Sequence, residues 1–290
     1  MNVLGQRVLR REDPALLTIG GTYVADIKVE NETHLVYVRS VMAHARIALI
    51  DTADARLAPG VVGVFTGADL SELGYAPNML PTNPDEMRRP FVAHGTVRYV
   101  GQPIVAVVAE TLAQAVDAAE LVYIDYESLS VVVDVEEAAL DKTILFPEYG
   151  TNVLNRMASD SVADFTDCEV VVEERILNQR LTAAPIETRS GAAWWTNDGR
   201  LVHYSACQGS HPTRDFLAQI YGLPTDQVQV VVPDVGGGFG AKSPTYPEEL
   251  ALGHYARVIG RPVRWTESRS ENLMAMPHGR AQVQYAKLGG

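Results

Sequence analysis

Cysteine is scarce in this chain, which contains only Cys168 and Cys207 among its 290 residues. The two thiols lie far apart in the sequence and form no C-x-x-C pair, so the chain lacks the ligand spacing of zinc and iron–sulfur sites. Small domains that depend on disulfides carry many more cysteines. The composition, with 47% hydrophobic residues, is instead typical of a globular protein that folds around an apolar core.

The chain also has few basic residues and no long apolar run. The chain has 24 lysines and arginines against 36 aspartates and glutamates, which gives a formal net charge of −12 at pH 7. Such a surface repels phosphates, so we expect no nucleic-acid partner. A membrane helix needs about 18 consecutive apolar residues, and the sequence has no such run. Residues 1–11 are charged and lack the apolar segment of a signal peptide, so we expect a cytoplasmic location.

Changes in hydrophobic periodicity divide the chain into two regions joined by a linker. We predict an N-terminal arm at residues 1–18, a first domain at 19–127, a linker at 128–155 and a second domain at 156–290.

The first domain contains a strand, a helix and a second strand in succession. Residues 104–108 form a continuous apolar run, Thr111 can cap the following helix, and residues 122–126 return as a strand. The helical spacing predicts one apolar stripe, formed by Leu112, Ala115, Val116 and Ala119. This order is typical of an α/β unit. We expect the unit to lie in a domain distinct from the one that contains Gly236.

The second domain alternates strands and helices. The turn Asn197-Asp198-Gly199 predicts a hairpin between apolar strands at 192–195 and 201–205. A helix that Ser210 can cap follows, and a further helix is predicted at 247–258. The remaining strands are predicted at 33–39, 60–65, 169–176 and 228–232.

The run at 235–242, Val-Gly-Gly-Gly-Phe-Gly-Ala-Lys, directly follows an apolar strand. Glycines adopt positive φ and let the backbone approach a ligand, so N–H groups of this loop can point at a phosphate or an oxyanion. An ordinary glycine-rich turn is the alternative. A Walker A loop is excluded because Ala241 precedes Lys242 where glycine is required. A dinucleotide fingerprint must open a helix, and Pro244 and Pro247 oppose a helix there.

The segments around this loop resemble those of the large molybdopterin-binding subunits of molybdenum hydroxylases, the family of xanthine dehydrogenase, aldehyde oxidase and aerobic carbon monoxide dehydrogenase. The resemblance covers nearly the whole chain, and the matching segments, in the same order, are 98–110, 185–189, 206–211, 233–242, 247–249, 261–265, 268–271 and 278–280. It implies an α+β protein with an α/β hammerhead domain followed by the first, incomplete part of the molybdopterin-binding domain.

The same resemblance implies a set of cofactor-binding residues, which are Gln208, Gly209, Gly237, Gly238, Phe239 and Gly240. The Gln208 amide would bond to an oxygen ligand of molybdenum, and a surface amide is the alternative. Phe239 would approach the cofactor through its backbone, and a core aromatic is the alternative. No residue of the chain is expected to bind the metal directly, because the pterin dithiolene holds molybdenum in this family.

The implied activity is hydroxylation of an aldehyde or an N-heterocycle, or oxidation of carbon monoxide, with water as the oxygen source. The implied cofactor is molybdopterin, with the cytosine dinucleotide form left open. Partner subunits would carry the [2Fe-2S] clusters and FAD. Xanthine dehydrogenases have a glutamate where this chain has Ser243, which disfavours purine oxidation.

The family's general base is a glutamate expected beyond residue 290, so we expect no catalytic residue within this chain and no turnover by the chain alone. A split subunit completed by a second chain and an incomplete gene product are both open. Two other classes are also open: a nucleotide-binding oxidoreductase that uses the Gly236 loop, and a non-catalytic remnant that binds a partner.

Four charged residues near the motifs can also be explained by structural roles that involve no cofactor. Glu187 and Arg189 either form a surface ion pair or make structural contacts. Glu248 and Glu249 suit the N-terminal dipole of a helix.

Overall fold

A computed structural model describes residues 4–78, 82–161, 163–243 and 246–290. Pro244 therefore lies outside the described residues. The helices are α1 (Asp13–Thr18), α2 (Ala53–Leu57), α3 (Leu112–Ala119), α4 (Val135–Ala138), α5 (Ser210–Tyr221), α6 (Pro247–Leu250), α7 (Leu252–Ile259) and α8 (Arg269–Ala275). The strands are β1 (Thr33–Arg39), β2 (Ala45–Asp51), β3 (Val61–Phe65), β4 (Thr96–Val97), β5 (Pro103–Ala109), β6 (Tyr123–Ser128), β7 (Val171–Asn178), β8 (Ser190–Trp195), β9 (Leu201–Ser205), β10 (Val228–Val231), β11 (Val263–Thr266) and β12 (Gln282–Gly289).

One continuous sheet runs through both predicted domains, in the order β10-β9-β8-β11-β1-β5-β3. β1 pairs in parallel with β11, so that Thr33 lies opposite Val263 and Leu35 opposite Trp265. The expectation that the unit around Thr111 is distinct from the domain of Gly236 is therefore not met in the sheet, while the residue limits of the two domains stay a prediction. All four paired residues are buried, and joining the two strand edges satisfies backbone groups that separate sheets would leave unpaired.

The predicted strand, helix and strand around Thr111 are all present, but they do not form an α/β unit in one sheet. β5 belongs to the seven-stranded sheet, whereas β6 pairs with β2 in a three-stranded sheet of order β4-β2-β6. The Thr111 side chain accepts a hydrogen bond from the Gln114 N–H, which confirms the cap. The buried stripe of α3 is Ala115 and Ala118. The prediction that Leu112 and Val116 also face the core is wrong, since both side chains are exposed.

The predicted hairpin is confirmed, because β8 and β9 pair antiparallel across the turn at Gly199, whose φ is +82°. α5 then connects β9 to β10, which pairs with β9 in parallel. The N-cap of α5 is Gly209, so the expectation that Ser210 caps this helix is wrong. The predicted helix at 247–258 is divided into α6 and α7. β7 and β12 form a separate two-stranded sheet.

α8 was not predicted, although the sequence carries its start signal. The Ser268 side chain accepts from the Glu271 N–H, and the Glu271 side chain accepts from the Ser268 N–H. This reciprocal arrangement is the capping box, which the S-x-x-E spacing predicts.

A buried network of charged residues fixes the centre of the sheet. The Arg39 side chain on β1 pairs with Glu248 on α6 at 3.0 Å and with Glu271 on α8 at 2.7 Å. Arg189 is fully buried, and it pairs with Glu267, just past β11, and with Glu248 at 3.4 Å. Of the two alternatives for Glu187 and Arg189, the surface ion pair is therefore wrong. Removal of one partner from such a network leaves an unpaired buried charge, which costs about 3 to 5 kcal/mol.

Glu248 and Glu249 are adjacent, yet their surroundings drive their pKa values in opposite directions. Burial disfavours the charged form of Glu248, but the charges of Arg189 and Arg39 outweigh burial and lower its pKa to about 2. Burial raises the pKa of Glu249 to about 7, because Arg189 compensates only partly and Glu248 adds repulsion. The Ser205 hydroxyl lies 3.2 Å from the Glu249 carboxyl. Both glutamates therefore have partners in the core, beyond the simple helix-dipole role expected of them.

We expect Arg39→Met to lower the free energy of unfolding by about 3 to 5 kcal/mol, because it leaves Glu248 and Glu271 short of a partner in a buried setting. Arg46→Met is the matched control, since Arg46 is an exposed strand arginine that pairs with Glu127 at 3.1 Å. Its loss should cost less than about 1 kcal/mol. Urea unfolding measures both variants, and equal losses would contradict a central role for the network.

Glu249→Gln should change how stability depends on pH. The folded-state pKa of Glu249 lies above the ordinary value of 4.5, so its stabilising contribution is complete below pH 4.5 and is lost as pH rises through 7. Relative to the glutamine variant, the parent should lose on the order of 3 kcal/mol between pH 5 and pH 8. Urea unfolding at several pH values tests this, with the exposed Glu174→Gln as control. Parallel pH profiles for the parent and Glu249→Gln would refute it.

Candidate functional site

The glycine loop, residues 235–242, follows β10 and is fixed at both ends. At its start, the Asp234 N–H donates to the Thr22 carbonyl at 3.0 Å, and the Asp234 carboxylate accepts from the Thr22 N–H at 2.8 Å. At its end, the Tyr246 hydroxyl donates to the Ala241 carbonyl. The segment around Thr22 therefore holds the base of the loop, a contact that no local pattern indicates.

Gln208 lies directly against the glycine loop. Its N–H donates to the Lys242 carbonyl at 3.0 Å. Its Oε1 accepts from the Gly240 N–H at 2.9 Å and from the Lys242 N–H at 3.3 Å. The expectation that the end of β9 and the loop lie side by side is confirmed. Since both partners of Oε1 are donors, the amide orientation is fixed, and Nε2 has no partner among the described residues.

The loop contains a row of three N–H groups without a partner among the described residues, those of Gly237, Gly238 and Phe239. The φ angles are +98° at Gly237, +53° at Phe239 and +85° at Gly240. Successive N–H groups in such a conformation form a concave anion-binding nest. A Cβ at Gly238 would lie 2.4 Å from the Gln208 Oε1, so a side chain there would displace the Gln208 amide from its present position.

Phe239 is not a core aromatic, since 78% of its surface is exposed. A positive φ is uncommon for a residue with a bulky side chain, and such strain concentrates at ligand sites. The alternative that Phe239 belongs to the core is therefore wrong.

A buried ion pair sets the shape of the loop. Lys242 is 1% exposed and its Nζ lies 2.7 Å from the Glu187 Oε2. The same Oε2 accepts from the Gly236 N–H at 2.8 Å, and the Glu187 N–H donates to the Gly236 carbonyl. Glu187 thus holds residues from both ends of the loop. The sequence does not reveal this role of Lys242, because nothing in the local pattern distinguishes a lysine that points inward from one in solvent.

Gly209 lies beside this site at the start of α5. Its carbonyl accepts from the Thr213 hydroxyl at 3.0 Å, and its N–H has no partner within the described ranges. Gly209 can therefore add one more donor next to the Gln208 amide.

A cavity of about 420 Å³ adjoins the loop at Phe239 and Gly240, with Thr182 and Arg280 on its other walls. The site as a whole is rich in donors: the Gln208 amide, the backbone N–H groups of the loop and one guanidinium. Such a surface suits a ligand that presents oxygen or other acceptor atoms.

The nucleotide alternative finds no support in the loop geometry. After the loop, the next helix in the described residues begins at Pro247, and it is the four-residue α6. A dinucleotide site needs the loop to run straight into a helix N-terminus that receives the pyrophosphate.

The histidines lie away from the donor-rich surface or have other contacts. His211 is exposed on α5, and the His278 Nε2 lies 3.0 Å from the Leu273 carbonyl. His203 is fully buried, and burial lowers its pKa to about 4. The described residues contain no group of three or more His, Cys, Asp or Glu that could hold a metal ion. In that same part of the chain, no helix is long and apolar enough to cross a membrane.

Two family models match the chain. Residues 145–290 match the molybdopterin cofactor-binding domain, and residues 20–130 match the a/b hammerhead domain of aldehyde oxidase and xanthine dehydrogenase.

Among curated proteins, the nicotine 6-hydroxylase large subunit of Paenarthrobacter nicotinovorans is 39% identical over 98% of this chain and 36% of that protein. The carbon monoxide dehydrogenase large chain of Afipia carboxidovorans is 32% identical over 93% of this chain and 35% of that protein. The chain thus spans about a third of the length of these relatives.

Solved structures that resemble this chain are similar in kind to these curated relatives. The quinoline 2-oxidoreductase of Pseudomonas putida 86 superposes with a TM-score of 0.92 at 37% identity, over 99% of this chain and 37% of that one. A Cu,Mo-containing carbon monoxide dehydrogenase gives a TM-score of 0.87 at 31% identity, over 99% of this chain and 38% of that one. With the donor-rich glycine loop and the matched domain models, these likenesses show that the chain belongs to the molybdopterin cofactor-binding family of aldehyde oxidase and xanthine dehydrogenase.

Proposed function

We propose that this chain forms the N-terminal part of a molybdenum hydroxylase large subunit and supplies one wall of its cofactor site. The observation that carries this proposal is the row of unpaired N–H groups at Gly237, Gly238 and Phe239, set beside the free Nε2 of Gln208. A pterin–molybdenum group presents oxygen and ring-nitrogen acceptors, which match such a row of donors. The residues present therefore fit the cofactor that the family binds.

Each site residue has a distinct part in holding the group. Gln208 would donate from Nε2, while its Oε1 stays bonded to the Gly240 and Lys242 N–H groups. The backbone N–H groups of Gly237, Gly238 and Phe239 would donate to the cofactor. The Gly209 N–H would add one more donor. Glu187 and Lys242 hold this arrangement in place before the ligand binds, which lowers the ordering cost of binding. When bound, the cofactor would accept two electrons from a substrate carbon that gains a hydroxyl group from water.

We propose an N-heteroaromatic compound as the substrate class. The names of two similar proteins refer to nicotine and quinoline, which both contain a nitrogen heterocycle. Ser243 offers only a hydroxyl where a purine-binding enzyme would place a carboxylate, which favours a less polar ring. The general base is proposed to lie in the polypeptide that corresponds to the remaining two thirds of the relatives.

The proposed assembly includes subunits that carry [2Fe-2S] clusters and FAD, because this chain has only two free cysteines and no cluster-binding spacing. We also propose that a second chain completes the large subunit. The pterin is proposed to carry the cytosine dinucleotide. The proposed location is the cytoplasm, where thiols such as the buried Cys207 stay reduced.

The proposal is tested by co-expressing the chain with its neighbouring gene products in a molybdenum-replete host and measuring metal in the purified complex. Stoichiometric molybdenum supports it. A complex that lacks molybdenum but binds NAD or FAD through the chain itself would favour the nucleotide alternative.

Gln208→Ala should weaken cofactor retention and activity, because it removes a hydrogen bond worth about 1 to 3 kcal/mol. It also releases the Gly240 and Lys242 N–H groups that Oε1 accepts. Gln229→Ala, an exposed amide on β10, is the matched control and should behave as the parent. Molybdenum content after dialysis is the readout, with urea unfolding as a check on the fold. Equal metal retention by both variants would show that Gln208 does not bind the cofactor.

Gly238→Ala should disrupt the site more than Gln208→Ala does, since the new Cβ would lie 2.4 Å from the Gln208 Oε1 and push the two segments apart. Gly290→Ala adds the same methyl group where no other atom lies within 4 Å, so its fold and metal content should match the parent. A Gly238→Ala complex that keeps full molybdenum would show that the close approach is dispensable.

A further inference from the structure

A second cleft, separate from the glycine loop, lies where the two family regions meet. It has a volume of about 560 Å³. We name it the arginine cleft and define it by Arg89, Arg98, Arg180 and residues 131–133, which all line it. Its walls therefore come from the hammerhead region, the connecting segment and the cofactor-binding region. Among the described residues, it shares only two lining residues, Pro277 and His278, with the cavity beside Phe239.

The arginine cleft carries positive charge in an acidic protein. None of its lining residues is an aspartate or a glutamate, although the chain has a net charge of −12. Arg98 is partly compensated, because its Nη2 lies 3.0 Å from Glu148 and its Nε donates to the Leu145 carbonyl. Arg89 and Arg180 have no ion-pair partner among the described residues. Two arginines are therefore left to attract an anionic partner.

Residues 131–133 give the cleft a short stretch of unpaired, irregular backbone. This segment of three valines is irregular, and none of its backbone groups has a hydrogen-bond partner in the described part of the chain. It is nevertheless held at its start, where the Leu129 N–H donates to the His44 carbonyl and the His44 Nδ1 lies 2.6 Å from the Ser130 carbonyl. Val131 is 50% exposed and Val133 is 71% exposed. Unpaired backbone with β-branched side chains is a template for an added strand.

We propose that the arginine cleft is a docking groove for an extended, acidic segment of a partner subunit. The segment would add a strand along residues 131–133, bury the exposed valines and place carboxylates against Arg89 and Arg180. A small free anion could neutralise the arginines, but it would leave the backbone of residues 131–133 unpaired.

The test uses a short fluorescein-labelled peptide of alternating glutamate and valine as the probe and the full chain as the receptor, with binding followed by fluorescence anisotropy. Arg180→Glu should weaken binding about tenfold or more, because it replaces an attraction with a repulsion. Arg200→Glu is the matched control, since it makes the same charge change in the exposed turn between β8 and β9, and it should bind as the parent does. Arg180 is exposed, so its replacement leaves the core intact.

Two competitor experiments separate strand pairing from simple charge. An N-methylated form of the peptide keeps its carboxylates but lacks alternate backbone donors, so it should compete poorly. Glutarate, a free dicarboxylate, should also compete poorly. Equal competition by glutarate and the unmodified peptide would overturn strand docking in favour of a small-anion site. Binding that is insensitive to Arg180→Glu would overturn the proposal entirely. Because no cofactor is needed, either result leaves the proposed molybdenum function unaffected.

Discussion

The buried arginine–glutamate network is the interaction on which the rest of the structure depends. Arg39 and Arg189 approach Glu248 from two sides, and Glu267 and Glu271 complete their surroundings. These five residues come from β1, α6, α8 and the ends of β8 and β11, so the network joins both predicted domains at the middle of one sheet. Charges this deeply buried are stable only when all of them are paired, so the elements that carry them have little freedom to shift.

This constraint reaches the glycine loop through residues 187–189. Arg189 is fixed in the network, and the Thr188 hydroxyl donates to the Glu267 carbonyl at 2.7 Å. Glu187, two residues before Arg189, then holds both Gly236 and Lys242. The position of the loop is thus set by buried charge and not by the loop itself. That is a suitable design for a surface of unpaired N–H groups, because free donors tend to collapse onto any nearby acceptor unless their backbone is held.

The glycine loop and the arginine cleft offer different chemical groups to a ligand. The glycine loop offers neutral backbone donors and one amide, which suit a ligand rich in acceptors. The arginine cleft offers full charges and unpaired backbone at residues 131–133, which suit a peptide. The chain spans about a third of the length of the relatives it matches.

The sequence by itself determined the local elements and the family. The Asn197-Asp198-Gly199 turn and the Thr111 cap act through neighbouring residues, so their patterns could be read directly. Tertiary structure decided the rest. The parallel pairing of β1 with β11 joins residues about 230 positions apart. The opposite pKa shifts of Glu248 and Glu249, and the inward turn of Lys242, depend on partners from distant segments. Local sequence encodes backbone preference, whereas burial and charge pairing arise only when the chain is folded.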